Sequence, residues 1–183
     1  MDPIVAILAG GRSQRMGEPK PCVELGGKPL ISYPIAAAQA AGLESWIVAK
    51  GNSELPSSDC PVLIEPDEPR HPLLGVVTAL RAARPAPVIA LGADMPFLTA
   101  ELLSRLGAAE TTAAVEAEGR LQPLLARYDS GALEPLERAL AAGEPATAAL
   151  KGLDPEVIEV EGLACFNVNS PTDLERAERL LEA

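Results

Sequence analysis

Aromatic rings and histidine are scarce in this sequence: one Trp, two Tyr, two Phe and one His among 183 residues. A core with so few rings must be filled by Ala, Leu, Val and Ile, which the 48% apolar content supplies. The lone His71 excludes most histidine-based metal chemistry. The three cysteines, Cys22, Cys60 and Cys165, are odd in number, far apart and form no CxxC pair, which argues against a disulfide framework or a zinc site. Positive charge is short as well. Lys and Arg total 15 against 26 Asp and Glu, and a net charge of −11 excludes a general binder of nucleic acid or anionic membrane. A small anionic ligand held in a local basic pocket stays compatible with that balance. No apolar run reaches bilayer-spanning length, and Met1 to Val5 lacks the basic start and apolar stretch of a signal peptide, so a cytoplasmic setting is expected.

What is present is an alternation of short apolar runs and helical spacings, with no internal repeat and no low-complexity tail. Ile4 to Leu8 is a continuous apolar run that meets Gly10-Gly11, the mark of a strand buried on both faces. Further strands are predicted at 46–49, 62–64, 88–91, 111–115, 124–128 and 157–160. Helices are predicted over 29–41, 73–83, 131–141 and 145–152, after a Thr99 cap as far as Leu106, and after a Ser170 cap with Pro171 in the first helical position. This order implies an α/β fold: a three-layer α/β/α sandwich around a mainly parallel, mixed central sheet. Ligands on such sheets collect at the carboxyl ends of strands, so the loops after Leu8, Ile64 and Leu91 should share one edge.

The loop after the first strand, Leu8 to Lys20, combines Gly10, Gly11 and Gly17 with Arg12, Arg15 and Lys20. Glycines let backbone amides approach and wrap an anion, and three cations in an acidic protein suit a polyphosphate. The plainer alternative is a solvated turn whose cations offset acidic neighbours. The loop is neither GxGxxG nor GxxxxGK[ST], which leaves a dinucleotide fingerprint and a P-loop unsupported. Asp94 follows the strand 88–91 at a Met-Pro turn, well placed for Mg²⁺; the alternative is an aspartate that only starts a helix. Asn167 and Asn169, two apart on an extended segment, point the same way. They offer two amide groups to a metal or phosphate, or else satisfy backbone groups at the helix entrance.

Leu8 through Lys20 resembles the L-A-G-G-x-S-x-R-M-G-x-x-K signature of the molybdenum cofactor guanylyltransferase family. Leu25 to Ile31 is similar to that family's L-x-G-x-P-L-I stretch, and Gly92 to Leu98 to its C-D-M-P-F-L motif, with Ala93 in place of Cys. Glu65 to Gly75 resembles the D…G-P-L-A-G loop that helps select and hold the nucleotide, with His71 and Leu74 in place of small residues. Either Glu65 or Asp67 fills the acidic position of that loop, and His71 either stacks on a ligand or has no role. Arg120 to Tyr128 looks like the R-x-Q-P-L…Y segment near the second substrate, and Phe166 to Asp173 like F-N-I-N-T-P-E-D.

The resemblance covers nearly the whole chain and implies one nucleotidyltransferase domain over residues 1–183, of the nucleotide-diphospho-sugar-transferase type. It implies GMP transfer from GTP to the terminal phosphate of molybdenum-molybdopterin, with Mg²⁺ as cofactor and transient contact with cofactor-delivery proteins. Catalysis would fall to Arg15, Lys20 and Asp94, and nucleotide binding to Leu8, Ala9, Gly10, Gly11, Lys20, Glu65, Asp67, Gly75 and Asp94. Asp94, helped by Asn169, would hold the metal, while Gln122, Asn167 and Asn169 would bind the acceptor. The Gly10-Gly11 pair favours guanine over the cytidine-using relatives, which tend to carry Ala before a single Gly. Alternative readings are a related nucleotidyltransferase with another base or acceptor, such as cytidylyl transfer to molybdopterin, cobinamide phosphate or a sugar 1-phosphate, or a nucleotide-binding module without catalysis.

Overall fold

The structure is a computed structural model that describes residues 1–10 and 19–182. Strand β1 (Ile4–Leu8) comes first; a 3-10 turn (Lys20–Cys22), the ribbon strands β2 (Glu24–Leu25) and β3 (Lys28–Pro29), and helix α1 (Ser32–Ala40) come next. Then come β4 (Ser45–Lys50), β5 (Val62–Glu65), α2 (Pro72–Ala83), β6 (Val88–Gly92) and α3 (Ala100–Ala108). The chain continues through β7 (Ala113–Ala117), β8 (Arg120–Tyr128), α4 (Leu133–Ala142), α5 (Ala146–Gly152), β9 (Glu156–Glu159) and α6 (Pro171–Leu181).

The main sheet has seven strands in the order β5-β4-β1-β6-β8-β7-β9. All pairings are parallel except those of β8, which runs against both β6 and β7. The hairpin between β7 and β8 turns on Glu118 and Gly119, both at positive φ (52° and 72°), the pairing a two-residue turn needs to match strand twist. β1 lies between β4 and β6, so the strand order reverses beside it. That switch point is where open α/β sheets form their ligand crevice.

Period-two alternation divides the sheet residues between two cores. Val5, Ile7, Ile47, Ala49, Ile89 and Leu91 face α1 and α3, where Ile35, Ala38, Leu103 and Leu106 meet them. Ala6, Val48, Val88, Ala90, Ala126 and Tyr128 face α2, α4 and α5. The result is the sandwich expected from the sequence, with two helical layers around a mixed sheet. Tyr128 is fully buried, and its hydroxyl donates to Pro123 O at 2.9 Å, which satisfies the one polar atom on that ring. No helix among the described residues is long and apolar enough to cross a membrane.

The helix expected over 29–41 begins at Ser32 instead, because residues 24–29 fold back as a ribbon through Gly26 and Gly27, at φ 57° and 73°. Leu25 from this ribbon and Leu30 just after it join Val168 and Ala177 in a third, smaller cluster. It ties α6 and the segment before it over the sheet edge. Thr99 and Ser170 cap α3 and α6 as expected, accepting from Leu102 N and Asp173 N at 3.2 Å each.

Candidate active site

The carboxyl ends of the central strands are stitched together by backbone bonds. Ala9 N donates to Val48 O at 2.8 Å and Ala93 N to Leu8 O at 3.3 Å, so the segments leaving β1 and β6 start side by side. Lys20, in the 3-10 turn that Pro19 precedes, brings its ammonium to this edge. Its Nζ lies 2.5 Å from Asp94 Oδ2 and 2.6 Å from Asn169 Oδ1. Those partners are 74 and 149 residues away in sequence, so only the fold unites them. Asn169 is held there by its neighbours. Val168 N donates to Asp94 O at 2.9 Å, and Asn169 N donates to Asp173 Oδ2 at 3.1 Å in the first turn of α6.

A carboxylate and an amide oxygen converge here on a single cationic nitrogen. Hard oxygen donors of this kind suit Mg²⁺, which keeps several waters and takes one or two carboxylates plus substrate phosphates. Among the described residues no group of three or more His, Cys, Asp and Glu gathers. Asp94 Oδ2 and Asn169 Oδ1 would be the side-chain oxygens that hold such an ion, with substrate and water completing its coordination.

A second cluster lies at the ends of β1, β4 and β5. Glu65 reaches Gly10 and Gly75: a β-carbon built on Gly10 would lie 2.1 Å from Glu65 Oε1, and one on Gly75 3.1 Å from Oε2. The missing side chains at these two positions form the notch that receives the carboxylate. Leu8 borders the same notch, its Cδ2 being 2.9 Å from a β-carbon at Gly75. Asp67 is exposed, and what it contributes is its carbonyl, which accepts from Lys50 Nζ at 3.0 Å. Burial raises the Glu65 pKa above the usual carboxylate value, and the charge of Lys50, with Nζ 3.5 Å from Oε1, pulls it back down.

The remaining expected residues are placed unevenly. Gly11 and Arg15, with Arg12, lie outside the described residues. Gln122 sits on the part of β8 that runs past the carboxyl end of β6, and its Nε2 donates to Arg120 O at 3.1 Å. Asn167 Nδ2 donates to Cys165 O at 2.9 Å and so braces its own turn. His71 Nδ1 accepts from Leu73 N at 3.2 Å and caps α2, a local structural contact. Lys50 was not singled out from the sequence. The one available signal was a lysine at the ligand-side end of a buried strand.

A family model described as the MobA-like NTP transferase domain matches residues 5–156. The chain belongs to that family. Full-length relatives agree with it: a molybdenum cofactor guanylyltransferase of Cereibacter sphaeroides is 37% identical over 96% of this chain and 95% of the relative. One from Pseudomonas putida is 36% identical over 93% and 95%. The solved structure of molybdopterin-guanine dinucleotide biosynthesis protein A from Archaeoglobus fulgidus superposes with a TM-score of 0.80 at 25% identity, covering 98% of each chain. A 2-C-methyl-D-erythritol 4-phosphate cytidylyltransferase from Thermus thermophilus shares the fold with a TM-score of 0.75 at 21% identity, over 100% of each chain. Family membership makes the chain a nucleotidyltransferase of the nucleotide-diphospho-sugar-transferase fold.

Proposed function

We propose that the protein transfers GMP from GTP to the terminal phosphate of molybdenum-molybdopterin, forming the guanine dinucleotide cofactor and pyrophosphate. The observation that carries this is the near full-length match to guanylyltransferases of the molybdenum cofactor, at 37% identity over 96% of the chain. A phosphate oxygen of the acceptor attacks the α-phosphorus of GTP in line. The bond from that phosphorus to the bridging oxygen breaks, and pyrophosphate leaves. An ionised phosphate is already a nucleophile, so the chain's task is positioning and charge neutralisation.

Lys20 would offset charge on the triphosphate and on the departing pyrophosphate, together with Arg15. Asp94 and Asn169 would hold Mg²⁺, which when bound polarises the α-phosphate. The backbone of Leu8 to Gly11 would lie against base and phosphates. Glu65, set in the notch of Gly10 and Gly75, would accept from the adjacent N1–H and exocyclic N2–H donors of guanine, a pair that adenine and cytosine do not present together. Gln122, Asn167 and Asn169 would face the acceptor. Cytoplasmic location and passing contact with proteins that deliver the pterin belong to the same proposal.

The test is dinucleotide formation with GTP, CTP, ATP and UTP, with Mg²⁺ and the loaded pterin as acceptor. GTP should be preferred. Better turnover with CTP than with GTP would overturn the guanine assignment.

A further inference from the structure

Lys50 stands at the end of β4, where a lysine normally reaches into water, yet its side chain is only 18% exposed. β4 lies between β1 and β5, so Lys50 leaves the sheet on the same edge as Gly10, and it pairs in register with Glu65. Its ammonium donates to Pro66 O at 2.7 Å and Asp67 O at 3.0 Å, and lies 3.5 Å from Glu65 Oε1. Three oxygens of one loop thus surround a group with three donors. Among the described residues Lys50 is the charged side chain within ion-pair distance of Glu65. The same carboxylate also lies against Gly10 and Gly75.

We infer that Lys50 is a positioning residue for base recognition: it clamps the Glu65–Asp67 loop through two carbonyls and holds the Glu65 carboxylate, oriented and charged, in the notch between Gly10 and Gly75. This rests on the GTP assignment above and deepens it. Lys50 touches the loop and acts through Glu65; the nucleotide is read by the carboxylate. Without the ammonium, the loop carbonyls lose their anchor, and the Lys50 charge that offsets burial of the carboxylate is removed.

Steady-state kinetics with GTP and ITP, which lacks the exocyclic amine, test this in wild type, K50M, K50Q, K50R, E65Q and the K50M/E65Q double variant. K50M should raise the KM for GTP about tenfold or more while kcat changes less than about threefold. Its preference for GTP over ITP should shrink toward that of E65Q. The acid limb of its kcat/KM profile for GTP should move to higher pH, because the charge that favoured ionised Glu65 is gone. K50R should recover most of the wild-type behaviour. K50Q keeps a donor for the loop and guards against an unfolded K50M; it should show the pH shift with a smaller rise in KM. In the double variant, K50M should add little to E65Q.

A K50M and K50Q pair with wild-type KM, GTP-to-ITP ratio and pH profile would overturn the proposal. So would full multiplication of the two effects in the double variant, which would mean that Lys50 acts on the nucleotide by itself. Failure of the GTP assignment looks different: the wild type would then turn over CTP better than GTP before any variant is compared.

Discussion

Asp94 sits in a space fitted to it. Its Oδ2 meets Lys20 Nζ at 2.5 Å, and a β-carbon on Gly92 would come within 2.5 Å of its Oδ1. Asp94→Ala should abolish Mg²⁺-dependent turnover, by at least about a hundredfold, because in the proposed function this carboxylate would be the charged ligand of the ion. The far-ultraviolet circular dichroism spectrum should not change, since the side chain is a partly exposed polar group at a strand end. Undiminished turnover would place the metal elsewhere. Gly10→Ala tests the other cluster. Its β-carbon would meet Glu65 Oε1 at 2.1 Å, so the carboxylate must swing away. The KM for GTP should rise about tenfold, while the thermal midpoint moves little because the displaced atom ends a flexible side chain.

Among the elements, the entrance of α6 links local capping to the site. Asp173 Oδ2 accepts from Ser170 Oγ at 2.8 Å and from Asn169 N at 3.1 Å. The Ser170 bond first, then the backbone bonds and the Arg176 charge, hold its pKa below the ordinary carboxylate value. A depressed folded-state pKa stabilises the fold above the unfolded value of about 3.9, and that contribution is lost as pH falls through the folded value. Amide protection factors in the first turn of α6, which correct for the intrinsic pH dependence of exchange, should therefore fall as pH drops below about 4, and Asp173→Asn should flatten that dependence. The same element shows what sequence can reveal. Ser-Pro-Thr-Asp announces a cap because each residue acts within one turn, and the buried strands announce themselves as continuous apolar runs. The β2–β3 ribbon stayed hidden because two residues per strand are too few for any alternation to register. Glu65 and Asp67 could not be ranked from the loop's composition. The fold separates them: β5 ends at Glu65, whose carboxylate meets the notch of Gly10 and Gly75, whereas Asp67 lies beyond the strand with its side chain exposed. Lys50 was invisible for a related reason: a strand-end lysine announces solvent unless the neighbouring loop is known to curl over it.

For the molecule as a whole, the third cluster makes the site depend on distant parts of the chain. Leu30 is fully buried against Leu25, Val168 and Ala177. Leu30→Ala should lower the unfolding free energy by roughly 2–5 kcal/mol, measured by denaturant titration. It should also reduce exchange protection at the Val168 amide, which is bonded to Asp94 O. Intact protection there would mean that the segment is held independently of the cluster.

The place of β1 in the sheet bears on how the protein is made. The strand is made before both of its neighbours, β4 and β6, which are complete only at Lys50 and Gly92. A nascent chain leaving the ribosome therefore carries its most apolar strand unpaired on one edge until β6 emerges. Asn169 arrives later still, so the cluster around the Lys20 ammonium can assemble only after β9 has been made.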